Sequence, residues 1–191
     1  MTLLILGLIV FLGVHSTRMF APAWREAQIA RFGMLPWKAV YAIVSLLGFV
    51  LIVHAYGQTR LDPMVLWQPP VWSKHVAGLL MLASFICIAA AYVPGNALKA
   101  KVGHPMLAGV KVWGFAHLLS NGNLADVVLF GSFMVWAILE FGTSRRRDKA
   151  AGTTYPRISM GRDLLVLFLG VAGTAVFAGF LHLQLIGVRP Y

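Results

Sequence analysis

Long apolar segments separated by short basic connections run through this chain, and they strongly limit what it can fold into. A helix that crosses the hydrocarbon core of a bilayer needs about 20 mostly apolar residues. Six segments reach or approach that length, and the pattern therefore predicts an all-α, polytopic transmembrane helical bundle with six spans. These segments are Leu3–Phe20, Trp37–Gly57, Trp72–Val93, Pro105–Asn121, Leu124–Phe141 and Leu164–Ile186.

The composition agrees with a chain that lies mostly in lipid. Of the 191 residues, 59% are hydrophobic and 12% are charged, whereas soluble domains carry roughly 25% charged residues. The longest predicted connection, 142–163, is too short to form a domain of its own. We therefore expect a single transmembrane domain over residues 1–191, with the lipid bilayer as its main surroundings.

The positive charges predict the orientation of the chain in the membrane. All but three of the 16 lysines and arginines lie in or beside the first, third and fifth connections; the exceptions are Arg60, Lys74 and Arg189. Short basic loops stay in the cytoplasm, so both termini are expected outside it, in a bacterial inner membrane. Anionic lipid also explains the net charge of +10 better than nucleic acid does.

The fourth and the first predicted spans each need an argument of their own. Lys111 lies inside the fourth span, but the basic connections on either side of spans four and five require an even number of crossings between them. The turn formers Ser120-Asn121-Gly122-Asn123 suit a hairpin there.

The first segment has no charged side chain before Arg18. This is the reverse of the pattern in a signal peptide, and we expect the segment to be retained.

Two of the six histidines fall well inside predicted spans, where polar side chains are functional candidates. They are His15 and His117, and a core histidine and a ligand histidine are about equally good interpretations of each. Gly114 lies one helical turn from His117, which leaves room for a flat ligand or for a neighbouring helix. The other four lie at span ends or in a loop, where a purely structural role is favoured: His54, His75, His104 and His182.

Two membrane histidines without acidic or thiolate partners suit haem iron better than zinc. A structural zinc site needs four nitrogen or sulfur ligands, and Cys87 is the one cysteine. A haem needs one or two axial ligands and an apolar slot. His15 and His117 differ in predicted depth by about 9 Å along upright helices, so helix tilt, a shifted boundary or a haem with one axial ligand remain open.

Several short motifs occur in an order that matches a known family. They are Val14-His15-Ser16, Leu66-Trp67-Gln68, Tyr92-Val93-Pro94-Gly95-Asn96, Gly103-His104-Pro105 and Ala116-His117-Leu118-Leu119-Ser120-Asn121-Gly122-Asn123. With these motifs the chain resembles the NnrU family of bacterial membrane proteins over nearly its full length. It also resembles the related zeta-carotene isomerase.

The resemblance implies a cofactor and a metabolic setting. Zeta-carotene isomerase is a haem b membrane enzyme that isomerises a carbon–carbon double bond, and its proposed ligands match His15 and His117. Its alternate cysteine ligand falls at Gly114, a departure that puts the isomerase activity in doubt. The NnrU resemblance implies a link to denitrification and nitric oxide metabolism, with denitrification enzymes or a redox partner as possible contacts.

Three further residues are candidates for the haem site. Arg18 could pair with a haem propionate. Asn121 follows His117 by four positions and closes the predicted hairpin. His104 precedes Pro105, which favours the first turn of a helix.

Two other function classes stay open at this point. One is a non-catalytic accessory protein that helps to assemble or supply a denitrification enzyme. The other is a membrane methyltransferase of the isoprenylcysteine type, which uses S-adenosylmethionine and carries an Arg-His-Pro segment. Here Gly103 stands in place of that arginine, and Glu140 lacks the adjacent acid found in those enzymes. Whether the chain is an enzyme is not decided by its sequence.

Overall fold

The fold is all-α, as predicted. A computed structural model describes residues 1–190, and within them the regular structure is helical apart from one isolated bridge between Val65 and Asn123. The last helix contains a π-helical turn, Phe177–Leu181, between α9 and α10. The helices are α1 (Thr2–His15), α2 (Thr17–Phe20), α3 (Pro22–Phe32), α4 (Met34–Thr59), α5 (Val71–Tyr92), α6 (Ala97–Val102), α7 (Pro105–Ser120), α8 (Leu124–Ala151), α9 (Met160–Val176) and α10 (His182–Ile186).

Four of the helical segments are long and apolar enough to cross a membrane. They are α4, α5, α8 and the continuous stretch Met160–Ile186, and between 11% and 33% of the residues in their apolar windows are buried within the protein. The remaining apolar surface needs lipid or another apolar environment around it. Helices α1 and α7 have 14 and 16 residues, or about 21 and 24 Å at 1.5 Å per residue, which is less than the bilayer core of about 30 Å.

The first predicted span is not one continuous helix. Helix α1 ends at His15, and Ser16 separates it from the short α2. The Ser16 hydroxyl donates to the Leu12 carbonyl at 2.6 Å, and the Thr17 hydroxyl donates to the Val14 carbonyl at 2.9 Å. Hydroxyl groups that bond to the preceding turn compete with the helical ladder. The predicted first span, Leu3–Phe20, is thus helical on both sides of an interruption at Ser16.

Helix α8 is longer than the fifth predicted span, Leu124–Phe141, which lies within it. Helix α8 continues past Phe141 through Arg145-Arg146-Arg147 and ends at Ala151, because arginine, lysine and alanine all favour helix. Gly152 follows with φ = 63°, a conformation that stops helices and that glycine adopts easily.

In the fourth predicted span, the Lys111 ammonium lies 3.6 Å from the Phe141 ring centroid and so has a cation–π partner within the protein.

The described residues form two compact units, which we treat separately. The first contains residues 1–66 and 123–132. In it α1 packs closely against α4, since a Cβ atom on Gly48 would lie 2.8 Å from the Phe11 nitrogen. Tyr56 of α4 donates its hydroxyl to Asp126 at the start of α8. The predicted single domain over residues 1–191 stays a prediction.

The second unit contains residues 67–122 and 133–191; Tyr191 lies outside the described residues. Helix α5 packs between α7 and α9. The Ser84 hydroxyl of α5 donates to the Gly109 carbonyl of α7 at 2.9 Å, and Gly170 of α9 allows close approach to Ile86. Small residues at such contacts are typical of helices packed in membranes.

The basic connections of this second unit come together at one end of its helices. The Ala97 amide donates to Asp163 at 2.6 Å, which joins α6 to the start of α9. Arg145 near the end of α8 donates to the Val102 carbonyl just before α7. At the opposite end of α7, the Trp67 amide donates to the Gly122 carbonyl at 3.2 Å. The basic connections, residues 94–104 and 145–163, form the end that we call the basic face.

The close packing of α1 on α4 gives a stability prediction. Gly48→Leu should lower the thermal unfolding midpoint of detergent-solubilised protein, because its Cβ would lie within 3.0 Å of three Phe11 atoms. Overpacking of this kind costs about 1–3 kcal/mol. Gly57→Leu on the same helix is the matched control, since a Cβ there meets nothing within 4 Å. Equal midpoints for the two variants would contradict this packing.

Candidate functional site

His15 is the last residue of α1, and aromatic rings surround it within the first unit. Its Nδ1 atom lies 2.6 Å from the Phe11 carbonyl oxygen one turn earlier. Its ring stacks on the Phe11 ring with centroids 4.2 Å apart and meets the Tyr41 ring edge-on at 5.1 Å. The imidazole is half-buried. The break in the helix at Ser16 therefore places His15 at a helix end rather than in mid-span.

His117 lies in the last turn of α7 within the second unit, in a similar setting. Its Nδ1 atom lies 2.9 Å from the Trp113 carbonyl oxygen, and its ring is tilted against the Trp113 ring at 5.2 Å between centroids. Gly114 and Ala116 on the same helix are buried. His117 is itself half-buried.

The two matching bonds determine where each ring carries its proton. A carbonyl oxygen only accepts hydrogen bonds, so the Nδ1 of each ring must be the protonated nitrogen. The lone pair of the neutral ring then lies on Nε2. Histidines that bind metals usually have this arrangement, with the second nitrogen held by a carbonyl or a carboxylate. His182 makes a comparable bond to the Val188 carbonyl at 2.7 Å, so the bond is a requirement for ligation rather than a proof of it.

Asn121 supports the helix end that carries His117. Its side-chain amide and its backbone amide both donate to the His117 carbonyl at 2.9 Å. The amide also donates to the Ser120 hydroxyl. Asn121 therefore acts on the backbone of His117.

Arg18 lies three residues beyond His15, on α2 in the first unit. Its side chain is exposed. About one helical turn of chain, interrupted at Ser16, separates Arg18 from His15.

His104 belongs to a different cluster, at the basic face. Its Nε2 atom lies 2.8 Å from Asp148, and the Tyr155 hydroxyl donates to the same carboxylate oxygen at 3.0 Å. Gly103, with φ = 78°, makes the turn that brings His104 to this position. Sequence reasoning did not identify Asp148 or Tyr155. The available signal was that Asp148 is the one acid within the basic run 145–149.

No conventional metal site is present in residues 1–190. No group of three or more His, Cys, Asp or Glu side chains in that range could hold an ion. Cys87 is a free thiol. His15 and His117 are instead single imidazoles, each bonded to a carbonyl through Nδ1.

A comparison with known families identifies the chain. A family model described as NnrU protein matches residues 3–190. The chain belongs to the NnrU family. No curated protein and no solved structure matches it. With its long, largely unburied apolar helices, this NnrU chain is an integral membrane protein of the NnrU type, as its sequence predicted.

The tautomer assignment in this NnrU protein can be tested directly. Nitrogen-15 spectra of histidine-labelled protein should show a proton on Nδ1 of both His15 and His117, because each bonds a carbonyl there. His15→Gln and His117→Gln assign the signals. If either ring is protonated at Nε2 instead, the hydrogen bond described above does not form in the membrane protein.

Proposed function

We propose that this NnrU protein crosses the bacterial inner membrane six times, with both termini outside the cytoplasm. The contacts at the basic face support this topology. Arg145 near the end of α8 reaches Val102 just before α7, and His104 reaches Asp148. Because the start of α7 and the end of α8 meet, the chain returns to the same side after the α7–α8 hairpin. An even number of crossings therefore separates the two basic connections.

Cysteine labelling in intact cells tests the number of crossings. In a Cys87→Ala background, six spans predict that Asp62→Cys reacts with an impermeant thiol reagent, whereas Lys101→Cys and Ala150→Cys react only after lysis. All three positions are exposed, so the protein itself does not shield them. With four spans, α7 would not cross and α8 would carry Ala150 to the side opposite Lys101. Protection at one of these two positions and reaction at the other would therefore overturn the six-span topology.

We further propose that the protein binds haem b, with His15 and His117 as the axial ligands. The observation that carries this proposal is the pair of Nδ1–carbonyl hydrogen bonds, to Phe11 and to Trp113. They hold each imidazole in the tautomer that can donate its Nε2 lone pair to iron. The aromatic rings beside each histidine and the buried glycine at position 114 suit the apolar surroundings that a porphyrin needs.

The other candidate residues would have supporting roles. Arg18 is an exposed cation one turn beyond His15, suited to a propionate. Asn121 positions His117 by tying down the end of α7. His104 is bonded to Asp148 at the basic face, and we assign it no direct role in haem binding.

The resemblance to NnrU proteins and to zeta-carotene isomerase suggests what a bound haem would do. Haem iron would supply electron transfer, nitric oxide binding or activation of a double bond. We propose a role in denitrification or nitric oxide metabolism, with denitrification enzymes or a redox partner as contacts. Gly114 stands where the isomerase has its alternate cysteine ligand, so a thiolate switch is not available and a redox or sensing role is favoured over isomerisation.

Absorption spectra of single variants test the haem proposal. Wild-type protein from haem-sufficient cells should show a Soret band, and His15→Ala and His117→Ala should each weaken or shift it by removing a ligand. His182→Ala is the matched control, since this ring also bonds a carbonyl through Nδ1 but is not a proposed ligand. An effect of one variant alone would indicate a single axial ligand.

Two other outcomes would contradict the haem proposal or its ligands. A colourless wild-type protein that takes up no added haem would exclude the cofactor and would favour an accessory role in assembly. A Soret band that survives both ligand variants would exclude His15 and His117 while keeping the cofactor.

A further inference from the structure

A cavity opens at the basic face, within the second unit. Its volume is about 590 Å³, which falls within the range of roughly 300–1,000 Å³ that is usual for small-molecule sites. Its walls come from the C-terminal end of α8, from Ala100 of α6 and from the connection after α8 that runs through Thr153, Thr154 and Tyr155. None of the proposed axial ligands takes part in it.

The charges around this cavity are mainly positive. Arg145, Arg146 and Lys149 line it together with one carboxylate, that of Asp148. The His104 imidazole and the Tyr155 hydroxyl both bond one oxygen of that carboxylate, so part of its hydrogen-bonding capacity is already used within the protein. Three cations outnumber one engaged acid, and an anion is therefore the ligand that this cavity favours.

The donors around the cavity are of the kinds that bind phosphate. An arginine guanidinium carries five N–H donors, and a lysine ammonium carries three. Arg145 uses one donor on the Val102 carbonyl at 3.2 Å, which holds its side chain across the turn before α7. Thr153 and Thr154 of the connection after α8 line the same cavity. Two N–H donors of one arginine form the bidentate contact that phosphate oxygens accept well.

Two general effects explain basic residues at this place without any ligand. Cations near a helix C-terminus interact favourably with its dipole, and basic loops fix membrane topology. Neither effect requires that Arg145, Arg146 and Lys149 line one cavity together with residues of the connection after α8.

We propose that this cavity binds the phosphate group of an anionic ligand. The source of that phosphate is either the headgroup of an anionic membrane lipid or a free phosphate ion. A headgroup fits the position of the cavity at the end of the α7–α8 hairpin, where lipid phosphates lie beside basic loops. The two sources share their chemistry, and the experiment separates them.

Binding can be measured on the full-length protein with two probes. Native mass spectrometry of delipidated protein records the retention of phosphatidylglycerol against that of phosphatidylcholine. Calorimetry with sodium phosphate in neutral detergent reports the free ion. The wild-type protein should prefer phosphatidylglycerol, bind inorganic phosphate, or do both; lipid binding alone assigns a headgroup site, and phosphate binding alone assigns a soluble ligand.

Two variants and a control link that binding to the cavity. Arg146→Gln combined with Lys149→Gln removes two lining cations and should weaken the affinity about tenfold or more. Ala100→Trp fills the cavity without changing the charge and should weaken it similarly. Arg31→Gln combined with Lys38→Gln removes two exposed cations from the first unit and should leave the affinity unchanged.

Three results would overturn the proposal. The first is a wild-type protein that neither prefers phosphatidylglycerol nor binds phosphate. The second is an equal loss in the Arg31/Lys38 control, which would assign binding to net charge. The third is unchanged binding in Ala100→Trp, verified as folded by its thermal midpoint, which would place the ligand outside the cavity.

Discussion

A bilayer offers no water to buried polar groups, so most of them find a partner within the chain, and this constraint shapes much of the structure. The Ser84 hydroxyl satisfies it by bonding a carbonyl of the neighbouring helix, and the Thr174 hydroxyl bonds the Gly170 carbonyl on its own helix. The imidazoles of His15 and His117 satisfy it through the carbonyls one turn earlier. The hydrogen bond to a carbonyl that satisfies such a histidine thus also defines its tautomer.

The same constraint organises the turns at the basic face. Asn96 is almost fully buried, at 1% exposure, and its side chain donates to the Ala90 and Val93 carbonyls at the end of α5. It also accepts from the Lys99 amide at the start of α6. One residue therefore ends one helix and begins the next. Asp163 extends the network by accepting from the Ala97 amide, so that α5, α6 and α9 are joined by backbone-directed bonds.

The hydropathy pattern predicted the helical class and the four longest membrane helices, because apolar length is a property of contiguous residues. It did not predict how far α8 continues beyond the fifth span, because charges were taken to end a span. Glu140 instead bonds both Ser144 and Arg147, four and seven residues later. These spacings lie on one face of a helix, and the continuation of α8 gives this nearly buried carboxylate its partners. An acid of this kind promotes helix beyond the apolar segment rather than ending it.

The sequence was less informative wherever a partner lies far along the chain. The proposed ligands His15 and His117 could be selected because their position in apolar segments and their family motifs are local features. The pairing of His104 with Asp148 spans 44 positions, and only the fold-back at Gly103 brings them together. The interruption at Ser16 lies within an apolar segment, so hydropathy alone does not detect it.

The position of each proposed ligand in the last turn of its helix has a chemical consequence. Carbonyls at helix C-termini carry partial negative charge, and a carbonyl that accepts from Nδ1 makes the imidazole a better electron donor at Nε2. The bond that satisfies each half-buried ring thus also leaves Nε2 as its ligand atom. Asn121 adds to this at His117, since its donation to the His117 carbonyl closes the helix end and limits fraying of the turn that carries the ring. Stability of the helix end and preparation of the ligand therefore depend on the same few hydrogen bonds.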